Sequence, residues 1–175
     1  MKTILCAAGA TLALAAVANA DVTIAFGGPY TLTGGQGITT TTGPLTGTLT
    51  GIQVTLDYSG AVGASWVADT AVTVDALQWG GYDIYCNGAS SYLGGIVGFP
   101  NSGTAGAYAG AGAGASVNYA GGSAVVGFAN GWSLSGGATL NNVTITLVGV
   151  DLVPAPGALA LLGAAGLAGS RRRRA

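Results

Sequence analysis

The chain contains no histidine and no glutamate, and it has no lysine or arginine between Lys2 and Arg171. Each absence excludes a class of chemistry. Without histidine there is no Ser-His or Cys-His nucleophile pair and no zinc site of the usual type. Without internal cations there is no Schiff-base lysine and no cationic oxyanion clamp. Phosphate neutralisation needs the same cations, so nucleic acid is excluded as a partner. Charged residues are 6% of the chain, against about 25% in an average soluble protein. What remains between the termini is Asp21, Asp57, Asp69, Asp75, Asp83 and Asp151, a weakly acidic body. Paired aspartates leave a glycosidase open in principle, but the expectation is a protein that is not an enzyme and carries no cofactor.

Both ends carry a different signature. Lys2 followed by an apolar run from Ile4 to Ala18, and then Ala18-Asn19-Ala20 before Asp21, reads as a secretory signal peptide over 1–20 with Ala18 and Ala20 at the cleavage site. An uncleaved anchor is the alternative. Cys6 lies inside that signal and is preceded by Thr3-Ile4-Leu5, which does not suit lipoprotein processing, so Cys86 is the one cysteine of the mature chain. No internal disulfide is then possible. Cys86 reads as a small buried apolar residue or as a partner in intermolecular pairing.

The other end, 151–175, has three parts. Val153-Pro154-Ala155-Pro156-Gly157 is a motif whose prolines oppose helix. Residues 158–169 form an apolar segment about 18 Å long as a helix, short of a bilayer core of about 30 Å. Arg171, Arg172, Arg173 and Arg174 close the chain and stay cytoplasmic under the positive-inside rule. Motif, short apolar helix and basic end in that order resemble the PEP-CTERM sorting domain of Gram-negative bacteria, with Ala155 where that family most often has Glu. The resemblance implies processing by exosortase, a transient hold in the inner membrane, and release to the cell surface or extracellular matrix. The alternative is an ordinary short anchor, accommodated by bilayer thinning.

The body, 21–150, shows strand periodicity. Ile52, Val54, Leu56 and Tyr58 alternate with Gln53, Thr55 and Asp57, and Val143, Ile145 and Leu147 alternate with Thr144 and Thr146. Val72 and Val74 alternate with Thr73 and Asp75, and Val126, Phe128, Trp132 and Leu134 share one parity. Gly-rich breaks such as Gly27-Gly28-Pro29 punctuate the runs. The pattern predicts an all-β fold, a jelly-roll-like β-sandwich. Thr39–Thr42 reads as an exposed loop or edge strand, and the Gly-Ala run from Gly110 to Ser116 as a loop or small-residue strand. Ser65-Trp66-Val67-Ala68-Asp69-Thr70, Trp79-Gly80-Gly81, Asn130-Gly131-Trp132 and Asn142–Leu147 look like the jelly-roll module of proprotein-convertase P domains and CUB-like sandwiches, which implies fold only.

Candidate ligand residues are few. Asp69 and Asp75, placed on one strand face with Thr73, either solvate an apolar body or supply the oxygens of a calcium site. No other metal is suggested. Trp79, Tyr82 and Tyr85 around Asp83 and near Asn87 either fill the core or form a sugar-stacking platform. Asn142-Val143-Thr144 has the form of a glycosylation sequon, which carries little weight in a bacterial chain. The functional expectation is a secreted, exosortase-sorted structural or adhesive protein of an exopolysaccharide biofilm, with a calcium-assisted carbohydrate-binding module as the alternative.

Overall fold

The computed structural model describes residues 21–62, 65–80, 94–131 and 137–154. Their regular structure is β1 (Val22–Ala25), β2 (Tyr30–Thr33), β3 (Gly37–Val62), a 3-10 turn (Val67–Asp69), β4 (Thr70–Val74), β5 (Leu77–Gly80), β6 (Gly95–Ile96), β7 (Gly106–Asn130) and β8 (Gly137–Leu152). The fold is all-β. The strands form one sheet in the order β1-β8-β3-β7-β4-β5-β6, with β2 also paired to β8. Every pairing is antiparallel except β5 with β6.

Residue parity decides which side of each strand is covered. Ile52, Val54, Leu56 and Tyr58 of β3 are buried while Gln53 and Thr55 are exposed, and Val143, Ile145 and Leu147 of β8 are buried in the same way. They join Val72, Val74, Trp79, Val97, Phe99, Val126 and Phe128 in one core. Phe128 anchors an aromatic corner, with Phe26 edge-on at 5.1 Å and Tyr30 at 5.6 Å.

β3 has 26 residues and β7 has 25. Straight strands of that length would reach about 85 Å, so both must bend. In β3 the bend falls between Thr41 and Gly51, where the register against β7 shifts at Pro44, Thr46 and Gly51. Gly47 sits there at φ +108, a conformation open to glycine. The bend lets the two ends of β7 take different neighbours. Asn130 to Val126 pair with β4. Near the other end, Ala111 N–H donates to the Val97 carbonyl at 3.0 Å, and Val97 N–H donates to the Gly80 carbonyl at 2.9 Å. The last strands of the sheet thus return to β7, and the sheet curls over its own core.

Of the alternatives for Thr39–Thr42 the edge strand holds: it belongs to β3, with Thr39 to Thr41 paired to Val125–Gly127 on one side. Of the two readings of the Gly-Ala run, the small-residue strand holds, because β3 pairs with it from Gly51↔Ala113 to Tyr58↔Gly106. β8 continues to Leu152, two residues beyond the expected end of the body at 150. Asp69 is not on a strand face. It is buried in the 3-10 turn, where its Oδ2 accepts from Trp66 N–H at 2.7 Å. Trp132, Leu134, the signal segment and the residues after Pro154 lie outside the described residues. Among the described residues, no helix is long and apolar enough to cross a membrane.

Candidate functional site

The alternation that buries one face of β3, β7 and β8 leaves the other face outward. β3 carries Gln53, Thr55 and Asp57 there, and β7 carries Ala107, Ala109, Ala111 and Ala113. The register sets Gln53 beside Ala111 and Thr55 beside Ala109. On the other flank of β3, Gln53 pairs with Thr146 and Thr55 with Thr144. Larger polar side chains therefore stand next to a row of methyl groups, and the difference in height makes a trough. Three adjoining depressions follow it. One of about 440 Å³ is lined by Thr55, Asp57, Ala107, Ala109, Asn142 and Thr144. The next, about 390 Å³, shares Thr55 and Ala109 and adds Gln53 and Ala111. The third, about 340 Å³, continues past Gln53 and Ala111 to Thr50, Ala113 and Val148.

The Asp57 end is built by a β-bulge. Thr55 pairs with Thr144, but Asp57 pairs with Asn141, so β8 carries one extra residue there. Asn142 takes up that residue at φ 48, a left-handed conformation that asparagine tolerates better than most side chains. Its amide Nδ2 donates to Asp57 Oδ2 at 2.7 Å. Beside it, Asn141 Nδ2 donates to Ser59 Oγ at 2.6 Å. Bulges of this kind re-aim side chains. Here the bulge sets a hydrogen-bonded carboxylate-amide pair at the mouth of the trough. Along the trough, Gln53 and Thr55 have no side-chain hydrogen-bond partner among the described residues.

Small residues on β7 have a second cause on the inward side. A Cβ at Gly112 would lie 2.5 Å from Trp79 Cδ1 and 2.9 Å from the Ile96 carbonyl oxygen. Glycine is what lets β6 and the Trp79 indole approach β7. The outward alanines and inward glycines thus serve different faces of one strand.

Among the described residues, the expected ligand residues Asp69, Asp75 and Trp79 are not brought together. Trp79 is fully buried and its Nε1 has no hydrogen-bond partner, so it is a core residue and not part of a platform. Asp75 lies in the β4–β5 turn, where Oδ1 accepts from Val125 N–H at 2.8 Å and Oδ2 accepts from Tyr119 O–H at 2.6 Å. Burial and that carboxylate push the Tyr119 hydroxyl well above its usual range. Asp69 sits at the other end of β4, beside buried Thr70. Its Oδ1 has no partner, and burial raises its pKa against the opposing pull of the Trp66 N–H. Nearby, the Tyr58 hydroxyl donates to the Ser65 carbonyl at 2.9 Å. Burial, then Asp69 and Tyr108, push its pKa up to about 12. Among the described residues, no group of three or more metal-ligating side chains occurs, and the calcium candidates Asp69 and Asp75 occupy opposite ends of a five-residue strand. Tyr82, Tyr85, Asp83, Cys86 and Asn87 lie outside the described residues, as do Ala18, Ala20, Ala155, Pro156, Gly157 and Arg171 to Arg174.

In the sequence Asn142 stands out only in a sequon and at the start of the jelly-roll-like Asn142–Leu147 stretch. The available signal was the polar pair Asn141-Asn142 interrupting an otherwise strict alternation, which is how a bulge reads in sequence. No family model matches the chain, and neither a curated protein nor a solved structure matches it.

Proposed function

We propose that this chain is a secreted, exosortase-sorted, non-catalytic protein of the cell surface or extracellular matrix, a structural or adhesive component of an exopolysaccharide biofilm. The terminal segments support this reading: a cleavable signal at one end, and a motif, short apolar run and arginine cluster at the other. In the finer fold reading, the curled sheet is a jelly-roll-like sandwich. It is supported by the way the Val97 backbone bonds to both Gly80 and Ala111, which joins the last strands edge to edge with β7.

One structural observation carries the sorting reading. The sheet ends at Leu152, and Val153 N–H donates to the Pro44 carbonyl at 2.8 Å as the chain leaves it. Val153 and Pro154, the start of the motif, are both exposed. The first two residues of the motif are therefore open to solvent at the end of the sheet. In this reading Pro154 and Pro156 would disfavour helix before the apolar run, and the arginines would orient that run.

Mass spectrometry of the protein extracted from the cell surface tests the proposal. The expected species begins at Asp21 and ends close to Pro156, without the arginines. Replacing Arg171 to Arg174 with Ser should impair retention and processing together. A mature surface protein that still carries Arg171 to Arg174 would overturn the reading and leave a plain anchored β-protein.

A further inference from the structure

We propose that the trough between β3 and β7 is a binding cleft for an extended, uncharged polysaccharide strand, with the Asp57–Asn142 pair reading hydroxyl groups at one end. This deepens the matrix reading by naming a ligand class, and it relies on that reading only for its biological setting.

The shape suits a linear polymer. From Ala107 to Ala113 the trough runs about 20 Å at the strand repeat of about 3.4 Å per residue, and its three depressions share lining residues. The chemistry suits a polyol. The walls offer the Thr55 and Thr144 hydroxyls, the Gln53 and Asn142 amides and one carboxylate, while the alanine methyls of the floor can lie against the C–H faces of sugar rings. Gln53 and Thr55 are free to hydrogen-bond a ligand. The Asp57 carboxylate is held by Asn142 Nδ2 at 2.7 Å, so its remaining lone pairs point in a fixed direction before the ligand arrives.

Charge decides between ligand classes. The lining contains no cation, and its one ionised group is Asp57. An anionic polymer would meet repulsion with no compensating pair. A second copy of the chain stacked face to face would bury Asp57 opposite a surface equally without cations, which is costly for an ionised carboxylate. A neutral, hydroxyl-rich strand pays neither penalty.

Affinity electrophoresis of the purified full chain tests this. The gels contain hydroxyethyl cellulose, dextran or galactomannan as neutral polymers and alginate as the anionic one. At least one neutral polymer should retard the protein, alginate should not, and EDTA should leave the retardation unchanged. Ala109→Gln/Ala111→Gln raises the floor of the trough, and Asn142→Gly removes the amide while keeping the left-handed backbone. Each should weaken retardation about tenfold, a difference of about 1.4 kcal/mol, with circular dichroism unchanged. Thr31→Ala, on β2 away from the trough, should bind as the parent does. The proposal fails if no neutral polymer retards the parent, if alginate does so equally, or if EDTA abolishes the effect. It also fails if both trough variants bind normally. A parent that is dimeric in size-exclusion chromatography and becomes monomeric in the floor variant would reassign the face to self-association. None of these results bears on whether the tail is cut, so the two proposals fail separately.

Discussion

Gly112 and Ala111 are neighbours in a repetitive run, yet substitutions at them should behave differently. A Cβ at Gly112 would collide with the Trp79 indole and the β6 backbone. Gly112→Ala should therefore destabilise the protein by about 1–3 kcal/mol in urea denaturation, as overpacking does. Ala111 is exposed on the outer face, so Ala111→Val should shift stability by less than about 0.5 kcal/mol. Equal effects at the two positions would contradict the assignment of inward glycines and outward alanines. Asp69 makes a pH prediction. Burial raises its folded pKa above the ordinary 3.8, so between those two values the folded state binds more protons than the unfolded chain. Stability should fall as pH rises through that window. Asp69→Asn should remove this loss, and its advantage over the parent should vanish below pH 3.8. Tyr58 behaves alike at the alkaline end, since its hydroxyl rises from 10.0 to about 12. Stability should decline as pH climbs across that interval, and spectrophotometric titration should find Tyr58 and Tyr119 among the tyrosines that ionise late. The burial of Tyr58 was legible in the Ile52–Tyr58 alternation, and that of Asp69 was not. Period-two alternation assigns a side by parity and does not register a 3-10 turn that carries Asp69 inward.

Among the elements, the β4–β5 hairpin shows how a turn residue can tie distant strands together. Asp75 sits at φ 52 in the turn. Its N–H donates to the Val125 carbonyl, and its carboxylate accepts from Val125 N–H and Tyr119 O–H. Asp75→Ala loses both side-chain bonds while keeping the unfavourable positive φ, and should cost about 1–2 kcal/mol by thermal or urea unfolding. Asp75→Asn, which keeps an acceptor, should cost less. A neutral Asp75→Ala would mean that the hairpin is held by Val72, Val74 and Trp79 alone. The strands on which Val72 and Val74 lie, and those of Ile52–Tyr58 and Val143–Leu147, were readable from alternation because each has one covered face. The Gly-Ala run was readable only as loop or strand, because alternating Gly and Ala present almost no contrast in hydropathy. Its strand character comes from the ladder with β3. The bulge at Asn142 was hidden for a related reason, since a bulge is a relation between two strands and not a property of one.

Over the whole molecule, the described residues include aspartates and no lysine or arginine. Their electrostatic interactions are therefore mutual repulsions, which salt screens over about 10 Å at 0.1 M. With Lys2 and Arg171 to Arg174 replaced by Ser, raising ionic strength from low to moderate should leave the melting temperature unchanged or slightly higher. A clear fall in scanning calorimetry would show that attractive pairs hold the fold. Cohesion instead comes from one continuous apolar core and from cross-strand hydroxyl contacts such as Thr23 with Thr146 at 3.0 Å and Thr31 with Thr139 at 3.1 Å.

The sequence by itself determined the class of structure and what its chemistry excludes. Alternating β-branched residues dictate strands through the two-residue repeat of the extended chain, and absent histidine and internal cations rule out reactions whatever the fold. The tertiary structure alone decided where the few polar groups meet. Asp57 and Asn142 are 85 positions apart and come to 2.7 Å only because β8 lies against β3 with one residue bulged out. Asp69, Asp75 and Trp79, close in sequence, are separated by a turn, a short strand and a core that takes the indole. Local pattern records which side of a strand is covered, whereas register and long-range pairing arise from the packing of strands distant in the chain.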